Sequence, residues 1–446
     1  MPNVVEKKTY ICVNFKDGKN NNKFWRYILN DDDSTFVEWG RVLDDGSGGL
    51  KVQGSQHATR SKTMAKMRSK TNPNNKPDKI YTEVKVAEGV TSVSSATVAS
   101  SSLKAIIKRD VDIKDPIVKD LWDMLEKENV HDIVQASGGS ISYDASSATF
   151  KTPLGVIMPE QVSDARDVLD KIAPYVVDNK YSSVVFSRLL EKYLRLVPHN
   201  IGRKRPSPEL IFPDAQALQN ENNLLDGLTV SFNDIQSGAA AAVGKKAKKV
   251  VQPKLFDVTL DVVRDRAIIS RINTYYERTK KTMHQSHRYK LHKVYEIEIK
   301  SVKKNFASIG QNLGNIQELF HGTKCSNLLA ILKKGLIIPP ARSGHVTGRL
   351  GGDGIYGSDI SSKALNYAGG YAPGQNRCGS TRRIFMILCD FAMGKVYKSK
   401  GYGDYRTLKQ GYDSTFMEGG KHGLYNNEMI VYRTGQVDLK YLLEFE

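Results

Sequence analysis

Long apolar runs are absent from this chain of 446 residues. Nowhere do about 18 uncharged apolar residues follow one another, so no membrane-spanning helix and no membrane partner are expected. The opening, MPNVVEKKTYICVNFKDGKN, lacks the apolar core of a secretory leader. A soluble, intracellular protein is the expectation. Cysteine is scarce: Cys12, Cys325, Cys378 and Cys389 are all there are, with no CxxC pair among them. That spacing argues against a disulfide framework and against a structural zinc site, and it fits a reducing compartment. Acidic residues are outnumbered, 48 against 66 lysines and arginines, for a net charge of +18. Such an excess favours a polyanionic partner, most simply nucleic acid. No internal repeat is found.

What is present suffices for packed cores. Hydrophobic residues make up 40% and aromatics 9%, and the length allows roughly two to four domains. Residues 7–86 read as β-rich. KFWRYIL (23–29) and TFVEWGRV (35–42) alternate apolar and polar side chains across the turn Asp31-Asp32-Asp33-Ser34, as in a hairpin. DDGSGG (44–49) is a second turn. RSKTMAKMRSKTNPNNKPDK (60–79) is strongly basic, and its first half suits a helix with one basic face. The Ser/Thr/Ala/Val-rich stretch 87–104 has a linker's composition.

Residues 105–235 read as helices joined by short polar loops, hence a bundle. Asp115-Pro116 is an N-cap followed by proline at the first helical position, and Ile117, Val118, Leu121, Trp122 and Leu125 mark one apolar face. MPEQVSDARDVLDKIAPYVV (158–177), SSVVFSRLLEKYLRLV (182–197) and NENNLLDGL (220–228) follow. Residues 236–254 form a second linker, whose Lys245-Lys246-Ala247-Lys248-Lys249 suits nuclear import, DNA steering or plain solvation. Residues 255–446 read as mixed α/β. VYEIEIKSV (294–302), RRIFMILCDFAMG (382–394) and EMIVYRTGQVDLKYLLEFE (428–446) are strand-like, and NLLAILKKGL (327–336) is a short helix capped by Asn327 and Gly335.

Two sets of motifs carry chemistry. The first is Trp39-Gly40-Arg41 at a strand end. An exposed tryptophan can stack on a sugar or base while the arginine meets phosphate. The second set is ELFHGTKCSNLLAILKKGLIIPP (318–340), GGDGIYGSDISSKALNYAGG (351–370) and YNNEMIVY (425–432). Taken singly, Tyr356 and Tyr367 read equally as core, and Glu428 as a strand-face residue. GRLGGDG (348–354) has no βαβ setting and is not a dinucleotide fingerprint. His284, His287 and His292 have loose metal-like spacing, but no nearby cysteine or carboxylate completes a site, so no metal is expected.

Together these segments resemble the poly(ADP-ribose) polymerase family. NNNKFWRYIL, FVEWGRV and KPDKIYTEVKV stand in the order of a WGR domain. TPLGVI (152–157) and YLRLVPHNIG (193–202) resemble the family's regulatory helical domain. The C-terminal trio resembles its HG(S/T), GxGIYF…SKSxNY and NEYIVY segments, the His-Tyr-Glu set. The resemblance implies a multidomain α+β chain: a WGR nucleic-acid-binding domain (1–86), a linker (87–104), an all-α regulatory helical domain (105–235), a basic linker (236–254) and a mixed α/β ADP-ribosyltransferase domain with a β-sheet core (255–446). It implies NAD+ as ADP-ribose donor. Gly322 would offer its backbone, and Ser362 its hydroxyl, to the nicotinamide amide. Tyr356 and Tyr367 would sandwich the ring. His321, Thr323 and Asn327 would line the donor site, and Lys363 would position the acceptor. Glu428 would stabilise the cationic transition state. Trp39, Arg41, Arg60, Lys62, Lys66, Arg68 and Lys70 would bind DNA at a nick or end with a 5′ phosphate. Protein side chains, including the chain's own, would be acceptors, in the nucleus if the host has one.

The pattern is broken in places. Ile337 stands where the family has Arg, Ala330 and Gly357 replace a Gly and a Phe, and Asn426, Asn427 and Met429 surround Glu428 differently. These neighbours leave polymer length open. A mono-ADP-ribosyltransferase and a DNA-end-binding scaffold with a dead pocket are the alternatives.

Overall fold

The computed structural model describes residues 2–12, 23–42, 50–76, 79–84, 103–144, 149–152, 155–157, 159–199, 206–232, 254–338, 351–369, 383–400, 408–421 and 424–446. The expected turn at 44–49, most of both linkers with the Lys245–Lys249 run, and Cys378 lie outside these residues. The chain divides into two compact units. One groups Met1–Ser102, Ile133–Lys245 and Gly344–Val346; the other groups Leu103–Asp132, Lys246–Ser343 and Thr347–Glu446. The helical stretch is thus shared between them.

In the first unit, β1 (Val4–Cys12), β2 (Lys23–Asn30), β3 (Ser34–Val42), β4 (Leu50–Thr59) and β5 (Thr82–Val84) form an antiparallel sheet in the order β4-β3-β2-β1-β5. The expected hairpin is there: Asp33 takes a left-handed φ of 60° and the Asp32 carboxylate accepts from the Ser34 N–H at 2.9 Å. Alternation puts Trp25, Tyr27, Leu29 and Val37 into one core, with Tyr10 from β1. The helix α1 (Arg60–Thr71), capped by the Thr59 hydroxyl, covers that core with Met64 and Met67.

Helices α2 (Leu103–Asp110) and α3 (Pro116–Ala136) follow. The Asp115 carboxylate accepts from the Ile117 N–H at 2.8 Å, as an N-cap does. The expected bundle also carries a small antiparallel sheet, β6 (Ser142–Asp144), β7 (Thr149–Thr152) and β8 (Gly155–Val156). These strands are too short to show a period in sequence. Then come α4 (Pro159–Val177), α5 (Val184–Leu196), α6 (Pro208–Ile211) and α7 (Ala215–Phe232). Val162, Ala165, Val168, Leu169, Ile172 and Ala173 make the buried stripe of α4.

The second unit adds β9 (Val258–Val262), α8 (Arg266–Arg278), β10 (Leu291–Ile299), α9 (Lys300–Ser308), α10 (Gly310–Leu313), β11 (Ile316–Gly322), α11 (Leu328–Lys334), β12 (Ile355–Gly357), α12 (Ser361–Gly369), β13 (Ile384–Ala392), β14 (Val396–Lys398), β15 (Ser414–Met417), β16 (Glu428–Val431) and β17 (Val437–Phe445). One sheet runs β11-β13-β17-β10-β9 and a second β12-β16-β15-β14. An isolated bridge, Phe320 with Ser358, joins β11 to the segment after β12. The β13 strand is buried on both faces, which is why it reads as an unbroken apolar run.

Three readings change. The strand expected over 294–302 stops at Ile299, and Lys300 begins a helix that buries Phe306. Gly335 does close α11, at φ 75°, but Asn327 makes no side-chain cap bond; its amide donates to the Thr323 hydroxyl at 3.0 Å instead. Cys12 and Cys389 are buried thiols outside any disulfide, whereas Cys325 is in a disulfide, which cysteine spacing alone did not suggest.

Candidate functional site

The sheet register gathers the C-terminal motifs. In β11, His321 follows Phe320, which is bridged to Ser358. In β12, Tyr356 pairs with Ile430 and Gly357 with Met429, so Glu428 begins β16 beside the end of β12. The His321 ring donates from Nδ1 to the Tyr356 carbonyl at 2.9 Å. That bond fixes the tautomer and leaves Nε2 as an acceptor, and burial pushes the imidazole below its ordinary value. Tyr356 turns its hydroxyl to the Gly351 N–H at 2.9 Å and the Gly352 carbonyl at 2.8 Å, while its ring packs on Met417, Leu424 and Ile430.

Lys363 and Glu428 form an ion pair, with Nζ to Oε2 at 2.7 Å. Lys363 also donates to the Asn427 carbonyl at 2.6 Å. Burial raises the Glu428 carboxyl against the pull of Lys363, and the nearby Asp359 charge adds to the rise. Asn427 in turn donates to Asp359 Oδ2 at 2.7 Å and accepts from the Gly419 N–H at 2.8 Å. A carboxylate held this way, part-buried beside one cation, suits the stabilisation of a positive charge that develops during a reaction.

Gly322 is demanded by the protein itself. A Cβ there would lie 1.7 Å from the Ala364 carbonyl oxygen, because α12 packs directly on the end of β11. The helix therefore presents Ala364, not Ser362, to Gly322. Ser362 is wholly buried, and its hydroxyl accepts from the Lys281 N–H at 2.9 Å and lies 2.8 Å from His284 Nδ1. Its hydroxyl is committed there, not offered to an amide beside Gly322. Two positions separate the serine from the alanine, about 200° around a helix, so the motif's sequence spacing misassigned the face. Tyr367 stays 42% exposed near the end of α12. Thr323 and Asn327 are joined to each other at the turn between β11 and α11. Asp359, His284 and Asn426 complete the surroundings. No sequence pattern singled out Asp359, and the histidine was weighed only as a metal ligand.

The first unit carries the other candidate surface. Trp39 and Arg41 are two apart in β3 and each is exposed, with buried Gly40 between them. The glycine sits at a register shift against β4, where a Cβ would come 1.9 Å from the Lys51 carbonyl. Gly54 on β4 lies under the Trp39 ring, where a Cβ would be 2.5 Å away. The tryptophan is thus held flat on the sheet, 36% exposed. The basic residues of α1 divide. Arg60 pairs with Asp33 at 3.1 Å and Lys70 lies over the Tyr81 ring at 4.0 Å. Lys62, Lys66 and Arg68 are exposed, and Lys62 and Lys66 share a helix face.

Three family profiles match the chain. Residues 268–423 match the profile described as Poly(ADP-ribose) polymerase catalytic domain, residues 115–254 that of the Poly(ADP-ribose) polymerase regulatory domain, and residues 10–78 that of the WGR domain. Poly [ADP-ribose] polymerase 1 of Gallus gallus is 25% identical over 471 aligned positions, covering 96% of this chain and 44% of the chicken protein. A poly [ADP-ribose] polymerase-like protein of Invertebrate iridescent virus 6 is 34% identical over 134 residues, 28% of this chain and 68% of the viral one. Protein mono-ADP-ribosyltransferase PARP3 of Mus musculus is 24% identical over 407 residues, 85% of this chain and 71% of its own length. Against the vertebrate polymerase 1 proteins the chain spans less than half their length, 44% in chicken and 31% in Danio rerio. With matched catalytic, regulatory and WGR regions in the family's order, the chain belongs to the poly(ADP-ribose) polymerase family.

Proposed function

We propose that this chain cleaves NAD+, transfers ADP-ribose to protein side chains and extends it into polymer, and that a DNA strand break stimulates it. The observation that carries the reading is the Lys363–Glu428 ion pair, 2.7 Å long, two ladder steps from Tyr356, whose carbonyl accepts from His321. NAD+ is the substrate. The bond from the ribose C1′ to the nicotinamide nitrogen breaks, nicotinamide leaves with the electron pair, and C1′ acquires oxocarbenium character. Glu428 stabilises that charge and orients the incoming hydroxyl, whose proton passes to solvent. Gly322 holds the nicotinamide amide through its backbone, without help from the Ser362 hydroxyl. His321, through its free Nε2, and Thr323 hold the far ribose. Lys363 opposes the burial-driven rise of the carboxyl and keeps it aimed.

The domain reading is part of the proposal: WGR 1–86, regulatory helices 105–235 and transferase 255–446. Trp39, Arg41, Lys62, Lys66 and Arg68 meet the DNA end. The helical segment restrains the donor site until DNA binds, a population shift. The setting is the DNA damage response, in the nucleus of a host that has one. The resemblance to a mouse mono-ADP-ribosyltransferase, over 71% of its length, favours a second reading in which transfer stops at one unit.

Nicotinamide release from NAD+ by the purified chain, with and without a nicked duplex bearing a 5′ phosphate, tests this. A sharp rise with the nick, and loss of polymer in Glu428→Gln, is the expected result. High release without DNA removes the gate and keeps the enzyme. No release in either condition overturns the transferase. A ladder rather than a single band on a gel separates polymer from mono-transfer.

A further inference from the structure

His284 is 7% exposed at the start of the 3-10 turn Gln285–Arg288, and both its ring nitrogens are engaged by side chains from other segments. Nδ1 lies 2.8 Å from Ser362 Oγ, and Nε2 lies 3.1 Å from Asn426 Nδ2. A neutral ring satisfies both contacts. Nε2 accepts from the Asn426 amide, Nδ1–H donates to Ser362 Oγ, and that hydroxyl also accepts from the Lys281 N–H at 2.9 Å. Burial, with the Lys281 and Lys363 charges behind it, keeps the ring below its ordinary value and so in this form.

The two partners are informative. Ser362 is the residue before Lys363 on α12. Asn426 stands two residues before Glu428, on the segment that leads into β16. One imidazole therefore ties together the two segments that carry Lys363 and Glu428. The hold on α12 is reinforced by Ser286, whose hydroxyl donates to the Ser362 carbonyl at 2.5 Å and whose N–H donates to Asn366 Oδ1 at 3.2 Å. On the other side Asn426 is the contact from the 426–428 segment to the ring.

We propose that His284 is a positioning residue for the transfer step, clamping α12 to the segment before β16 so that Lys363 and Glu428 stay in register. This rests on the function proposed above. The clamp bears on Ser362 and Asn426, whereas Gly322 is packed by its own contact with the Ala364 carbonyl. Its loss should therefore slow turnover without weakening hold on NAD+.

The test is steady-state NAD+ cleavage by the full chain with activating nicked DNA, for His284→Ala, Asn426→Ala and the double variant. Each single variant should lower kcat about tenfold or more, as a small misplacement of a reacting group does, with KM for NAD+ within about twofold. The double variant should be no worse than either single, because both cut one link. A second cycle with Lys363→Met should show the same loss of additivity. Asn426→Ala decides the matter if His284→Ala does not fold. Unchanged kcat in the variants of an active wild type, a rise in KM alone, or fully multiplicative losses would each overturn the clamp. An inactive wild type would instead sink the transferase reading beneath it.

Discussion

Gly322 carries a packing constraint that its motif does not show. The motif makes it a place where a substrate approaches the backbone. The packing adds that α12 already occupies the space, with the Ala364 oxygen 1.7 Å from any Cβ. Gly322→Ala should therefore destabilise the fold as well as the site, by about 1–3 kcal/mol of overpacking. A lowered midpoint in thermal unfolding, together with lost NAD+ cleavage, is the expected outcome; lost cleavage with an unchanged midpoint would return the glycine to a purely catalytic role. The same closeness explains Ser362. Its side chain points to the 281–284 segment because α12 must turn Ala364 toward β11. Gly357 is similar, since a Cβ there would meet Leu319 at 2.7 Å and Phe391 at 3.0 Å, leaving no room for the phenylalanine of the family pattern.

At the scale of elements, β3 and α1 present charge and a flat aromatic ring on separate supports. Trp39 is fixed by Gly54 beneath it, whereas Lys62 and Lys66 stand free of the Asp33 and Tyr81 contacts that occupy Arg60 and Lys70. The two kinds of residue should fail differently. Replacing Lys62 and Lys66 together by alanine should weaken binding to a nicked duplex and reduce the dependence of log K on log salt by about 2, one for each phosphate contact. Trp39→Ala should weaken binding while leaving that slope unchanged, because stacking releases no counterion. Fluorescence anisotropy across a salt series reads both. An unchanged slope in the lysine pair would remove α1 from the interface.

At the scale of the whole molecule, the contact grouping puts residues 103–132 with the C-terminal unit. That segment is fastened there by named bonds. The Asp110 carboxylate accepts from the Leu255 and Phe256 N–H groups at 2.6 and 3.1 Å, Arg383 reaches Asp120 at 2.7 Å, and Trp122 packs edge-on to Phe256. Near the end of this segment, burial raises the Asp132 carboxyl, while a hydrogen bond with Ser326 and the charges of His131 and Lys324 oppose the rise. Ser326 lies between Thr323 and Asn327, so α3 touches the turn that closes the proposed donor site. If that contact restrains the site, Asp132→Ala removes about 1 kcal/mol of hydrogen bonding and should raise DNA-independent nicotinamide release about fivefold. Unchanged basal release would place the restraint elsewhere.

Much of this was legible in the sequence. The alternation in 23–42 gave the hairpin, Asp115-Pro116 gave the start of α3, Gly335 gave the end of α11, and the three C-terminal segments marked stretches that the sheet register brings together. All of these are local: each depends on a period, a cap or a spacing that one stretch of chain carries by itself. What only the tertiary structure decided was which side of a helix meets which strand. That turned Ser362 away from Gly322, committed Arg60 and Lys70 to the fold, brought Asp132 to Ser326 and placed His284 between Ser362 and Asn426. Those contacts join residues tens to hundreds of positions apart, and close packing selects them only once every element is in place.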